Sequence, residues 1–148
     1  MNGDSLHRIV FFTVLYLSAF LLNFFWESGQ GLLYIAHQEF AARVYVPMMA
    51  QMSLLDALSI TGLYLLTSLF ARSLVWRPDV RNLALFSLSG AFGAWSVEYV
   101  SVNFLHIWAY TSGMPMLFMV GLSPLLQLSI TGLVSIFIAR GSAGFTNE

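Results

Sequence analysis

Four apolar stretches, each long enough to cross a membrane as a helix, constrain this chain more than any other feature. A spanning helix needs about 20 mainly apolar residues, and residues 9–34, 53–76, 83–108 and 116–140 each qualify. With no water in the hydrocarbon core, the backbone of such a segment must satisfy its own hydrogen bonds, which selects the helix. The chain is 58% hydrophobic and 9% charged, with a mean hydropathy of +0.77, which excludes an ordinary soluble core. The expected fold is an all-α membrane protein, with residues 1–148 forming a single domain of four transmembrane helices.

Arg8 precedes the first apolar run, as it would in a signal peptide. The run is longer than a signal-peptide core, however, and no small-x-small cleavage site follows, so a retained first helix is expected. Orientation follows from arginine, since the chain has no lysine. Arg8, Arg72, Arg77, Arg81 and Arg140 fall on one side of the expected bundle and Arg43 on the other. That bias puts both termini in the cytoplasm, and the composition fits a prokaryotic inner membrane. A net charge of −1 argues against nucleic acid. The absence of cysteine removes disulfides and thiolate-ligated metal sites.

Residues 53–63 can be laid on residues 123–133 with eight of eleven positions identical, including a shared Leu-Ser-Ile-Thr-Gly-Leu. Helices 1 and 3 echo each other more weakly: Trp26 and Trp95 each precede a histidine (His37, His106) by eleven residues, and Glu27 and Glu98 lie near matching places. Two hairpins of the same orientation would make a parallel repeat. Small residues permit close helix approach, so Gly62 and Gly132 read as packing surfaces between helices 2 and 4.

Against this background Glu27, Asp56 and Glu98 stand out, because ionisable residues within spanning helices are costly and mark functional sites by default. Counting depth at about 1.5 Å per residue puts all three in the outer half, with Glu98 the deepest. Gln30, His37, Asn103, His106 and Tyr110 lie at or above that level, whereas the inner half carries almost only Ser and Thr. A proton or ion relay would need ionisable groups at several depths; an outward-facing cavity fits better. No Lys or Arg lies in the outer half of these stretches to oppose the acids. They must be protonated, hydrated, paired with His37 or His106, or bound to a cation. Plainer readings exist for each: Glu27 at the interface, Asp56 as a cap or first-turn acid of helix 2, Glu98 in a structural hydrogen bond, His106 in an aromatic belt. A tetrapyrrole ligand role for His106 has no companion signal. Pro124 is expected to kink helix 4 and Gln127 to lie near mid-membrane as a cavity floor. The connection over residues 37–52 is expected to lie along the interface and cover the cavity.

The stretch Trp108-Ala109-Tyr110, Met114-Pro115 and Gly121-Leu122-Ser123-Pro124-Leu125-Leu126-Gln127-Leu128 resembles a pattern in small prokaryotic four-helix membrane proteins. The Trp26-Glu27 and Asp56 regions are compatible with it. That resemblance implies the fold and no chemistry. Trp95-Ser96-Val97-Glu98-Tyr99 is only slightly similar to a stretch of the membrane sterol-isomerase-like domain, and no residue roles transfer.

No zinc-protease, phosphate-loop, dinucleotide or nucleophile-elbow motif is present, so no cofactor is assigned. Three functions follow. In the first, the bundle binds a lipophilic or cationic small ligand in an outer-leaflet pocket of Glu27, Asp56, Glu98, His106 and Gln127, walled by Trp26, Trp95, Tyr99 and Trp108. In the second, it is an intramembrane isomerase or cyclase of an isoprenoid-like lipid, with Glu98 as proton donor or base. In the third, it is a subunit of a homo- or hetero-oligomer in which the acids pair with a partner helix. The lipid bilayer is a partner in all three.

Overall fold

The structure, a computed structural model, describes residues 3–145. Its helices are α1 (Gly3–Gln30), α2 (Ala42–Ala71), α3 (Val80–Tyr99) and α4 (Leu122–Ser142). All four are long and apolar enough to cross a membrane. The surface agrees with that setting: Leu17, Phe25, Leu69, Leu88 and Phe92 point outward and are more than half exposed. Exposed apolar area on this scale suits lipid rather than water.

Local signals explain most of the helix ends. Asp79, after Pro78, caps α3 by accepting a hydrogen bond from the Asn82 amide at 2.8 Å. Arg72 ends α2 in the left-handed conformation (φ 52°), its amide donating to the Ser68 and Leu69 carbonyls. The helix continues from α3 as one π-type turn, Val100–Phe104.

The helix boundaries differ from the sequence expectation throughout, α1 beginning at Gly3 and ending at Gln30 and α3 ending at Tyr99, and two of the differences bear on the site. Helix α2 begins at Ala42, so much of the expected interfacial connection is helical. Pro47 sits inside that helix close to its start, where the chain is exposed and a freed carbonyl can meet polar surroundings. Helix α4 begins only at Leu122; residues 116–121 instead form a small antiparallel pairing of β1 (Met116–Leu117) with β2 (Val120–Gly121). Pro124 therefore lies in the first turn of α4, where its missing N–H has no carbonyl to bond. It starts the helix and does not kink it.

Helix α1 packs along α2 and α4, and α4 along α3, whereas α2 and α3 touch over a much shorter length. The ends of the bundle differ. At the end bearing Arg72, Arg77 and Arg140, Phe11, Tyr64 and Trp76 are fully or almost fully buried. Trp76 stacks on Tyr64 with ring centroids 4.9 Å apart, and Arg140 Nη1 donates to the Trp76 carbonyl at 2.9 Å. The arginine end is closed, and the opposite end holds the polar residues.

The two glycines of the repeated hexapeptide are used differently. A Cβ on Gly132 would lie 2.5 Å from Phe86 Cζ of α3 and 3.4 Å from Ile60 of α2. One on Gly62 would meet nothing within 4 Å. Gly132 is thus a close-packing position, but Gly62 is not, because α2 faces open space there.

Candidate functional site

Helix α1 presents Asn23, Trp26, Glu27 and Gln30 at helical spacing, so all four share one face. From the first turns of α4, Ser123 and Gln127 meet that face. Gln127 Nε2 lies 3.0 Å from Asn23 Oδ1, 2.7 Å from Glu27 Oε1 and 2.8 Å from Asp56 Oδ2. Gln30 Nε2 donates to Gln127 Oε1 at 2.7 Å and reaches Glu27 Oε1 at 2.9 Å. Ser123 Oγ (2.8 Å) and Trp26 Nε1 (3.1 Å) both donate to Gln30 Oε1. A neutral amide therefore ties together two carboxyls carried by different helices. The Glu27 and Asp56 carboxyls thus meet on the same Gln127 nitrogen.

Glu98 lies across the cavity in a separate cluster. It is buried on α3, and its Oε1 accepts from Tyr34 Oη at 3.2 Å. Its Oε2 accepts from Trp108 Nε1 at 3.1 Å and from Tyr110 Oη. The π-type turn and a left-handed His106 (φ 50°) reverse the chain after α3, which brings Trp108 and Tyr110 back onto the acid. Burial pushes the Tyr34 and Tyr110 phenols well above the usual range, and the neighbouring Glu98 pushes them further. Both stay protonated and donate. Three neutral donors on an acceptor-only group suit a carboxylate.

The two clusters share one cavity of about 660 Å³ between α2 and α3. Glu27, Asp56, Glu98, Gln30 and Gln127 all line its polar end, together with Tyr34, His37 and Trp108. The remainder is apolar or small: Leu55, Leu63 and Leu66 of α2 face Gly90, Gly93 and Val97 of α3. The volume falls within the range of about 300–1,000 Å³ typical of small-molecule sites. Among the described residues no Lys or Arg lines it, and no group of three or more His, Asp or Glu is placed to hold a metal.

The structure thus brings Glu27, Asp56, Glu98 and Gln127 together. It leaves Trp26, Trp95, Tyr99 and His106 outside the cavity lining. Trp95 stacks on Tyr99 at 5.0 Å and donates to the Phe118 carbonyl, on another face of α3. His106 is exposed, with Nδ1 beside the Val102 carbonyl at 3.0 Å. Trp26 supports the amide cluster without lining the cavity. Asp56 is no cap: it sits about 21 Å along α2 from Ala42. Neither histidine near the acids hydrogen-bonds one; His37 Nδ1 lies 3.2 Å from the Gly31 carbonyl. Gln127, close to the start of α4, lies level with Glu27 and forms no mid-bundle floor. Sequence reasoning gives Asn23 no role. Its place three and four residues before Trp26 and Glu27 is the available signal.

Fold and site together define a four-helix, membrane-type bundle with an acidic, partly open cavity near one end. Comparison with known families, with curated proteins and with solved structures finds no match for this chain.

Proposed function

We propose that the protein is an integral protein of a prokaryotic inner membrane, termini in the cytoplasm, that binds a lipophilic small molecule with its polar end in the outer half of the bilayer. The observation that carries this reading is the cavity itself, whose carboxyls and amides gather at one end and whose remaining wall is apolar. Polar groups that fix orientation inside a largely apolar pocket are the usual composition of a ligand site. The arginine bias supports the orientation. The hairpins α1–α2 and α3–α4 are read as a parallel repeat on the strength of the shared hexapeptide. The packing departs from symmetry, since α1 and α4 are in contact along their length while α2 and α3 stand apart.

Native mass spectrometry of the protein in lipid nanodiscs tests the reading. One molecule of a defined species should remain on each chain after bulk lipid is stripped, and Gly62→Leu, which fills the cavity, should release it. Recovery of bulk lipids alone, in the proportions of the membrane, would rule the reading out.

One observation favours an enzymatic version. Glu27 and Asp56 meet on Gln127 Nε2 beside an apolar wall, an arrangement able to hold one shared proton and pass it to a bound isoprenoid-like lipid. In that case Asp56→Asn keeps ligand occupancy and stops turnover, whereas in a binding protein it only lowers affinity.

A further inference from the structure

We propose that the ligand is a single-chain amphiphile with an ammonium head group, admitted from the bilayer between α2 and α3. The inference rests on the reading of the cavity as a ligand site and adds the ligand's charge, shape and route.

Charge comes first. Three carboxyls line the polar end, and every donor that reaches them from Gln30, Gln127, Tyr34, Trp108 or Tyr110 is neutral. Neutral donors stabilise a carboxylate but leave its charge, and the lining contains no Lys or Arg to balance it. A cationic head supplies the missing charge in a place where an anionic one would be repelled. The aromatic residues favour an ammonium. Tyr34 meets Trp108 nearly edge-on (centroids 6.3 Å apart, 79°) and lies 5.3 Å from the His37 ring. All three line the cavity beside Glu98. Aromatic faces next to a carboxylate attract alkylammonium groups through the ring quadrupole.

Shape and route come from the rest of the wall. From Asp56 at the polar end to Leu66 the α2 lining runs about 15 Å, room for the upper part of one extended chain whose remainder lies in the bilayer. A methyl group in place of the α-hydrogen of Gly62 or Gly93 would meet nothing within 4 Å, which leaves that chain room. The polar end is latched on its outer side. Thr111 N donates to the Leu33 carbonyl at 2.8 Å and Ile35 N to the Ala109 carbonyl at 3.0 Å, joining the two connections over the head-group site. The side between α2 and α3 is open: Leu55 is 53% exposed and Val97 61%, although both line the cavity. A ligand therefore arrives sideways from lipid, not downward from water.

The test uses the full chain in zwitterionic nanodiscs, with octadecylamine, octadecan-1-ol, octadecanoic acid and choline as probes and native mass spectrometry as the readout. Octadecylamine should bind at least tenfold more tightly than the alcohol or the acid, and choline should not compete. Glu98→Gln should remove most of the preference for the amine. Because Glu98 also holds Tyr34, Trp108 and Tyr110, Gly62→Leu serves as a second variant: it touches neither cluster and should abolish amine binding. Equal binding of amine and alcohol overturns the head-group assignment and leaves the cavity as a ligand site. Competition by choline overturns the membrane route. Failure of every chain-bearing probe overturns this proposal and the proposed function together.

Discussion

Replacing Gln127 by leucine tests whether the amide cluster ties the bundle together. Gln127 is 3% exposed and connects α4 with α1 and α2. Its nitrogen carries two hydrogens for three acceptors, and its oxygen takes one bond from Gln30, so at most three interhelical bonds exist at once. Interhelical hydrogen bonds in membrane proteins average about 0.6 kcal/mol each, which gives a loss of about 2 kcal/mol. Leaving a buried carboxyl without its donor adds to this, at about 1–3 kcal/mol per unsatisfied group. The expected destabilisation is therefore about 3–5 kcal/mol, measured by reversible unfolding in mixed micelles and followed by circular dichroism. Leu126→Ala, at the neighbouring and more exposed position, should change stability by less than about 0.5 kcal/mol if lipid contact is all it loses. A double-mutant cycle with Asp56→Leu should show coupling above about 0.5 kcal/mol. If Gln127→Leu costs less than about 0.5 kcal/mol and shows no coupling, the cluster is not what joins these helices.

Two further perturbations address other parts of the fold. Gly132→Ala should cost about 1–3 kcal/mol in the same unfolding assay, since its Cβ would press on Phe86 at 2.5 Å in a packed contact; Gly62→Ala, facing open space, should change little, and equal effects would contradict the packing. Tyr34 and Tyr110 are held above the ordinary phenol range, so they remain protonated in the folded protein while the unfolded chain ionises near pH 10. The stability they contribute is fully present below about pH 10 and declines as pH rises above it. Phenolate absorbance up to about pH 11 should accordingly be unchanged by Tyr34→Phe or Tyr110→Phe, and a fall in amplitude with either variant would refute the burial.

How far the site can be read from the sequence depends on the kind of contact. Glu27 and Gln127 are legible because each is a polar residue in an apolar helix, and a polar group in such a helix must turn towards a partner. Asp56 stands out for the same reason, but its place along the helix does not. Pro47, Gln51 and Ser53 suggest a chain not yet helical, whereas α2 begins at Ala42 and has already made several turns by Asp56. The aromatic partners of Glu98 are harder. Tyr99 follows Glu98 by about 100° around the helix and stacks with Trp95, so the two nearest aromatics face elsewhere. Of the partners that do reach the acid, Tyr34 lies just beyond α1, and Trp108 and Tyr110 arrive only after a π-type turn and a left-handed residue, neither of which a hydrophobic period encodes.

The repeated hexapeptide makes the same distinction within one structure. Leu-Ser-Ile-Thr-Gly-Leu is helical at both of its positions, and the matching Thr61 and Thr131 each bond a carbonyl four residues earlier in their own helix, whereas Ser59 bonds back to Leu55 and its counterpart Ser129 turns across to the Ser87 carbonyl of α3. Identical residues therefore give the same backbone structure. What differs is the neighbour: Phe86 and Ile60 close on Gly132, while nothing closes on Gly62. A small-residue face lets another helix approach, but it does not require one to do so. Where α3 stands away from α2, the same face that packs α4 becomes the wall of the cavity, and the three acids at its end give that space its chemistry.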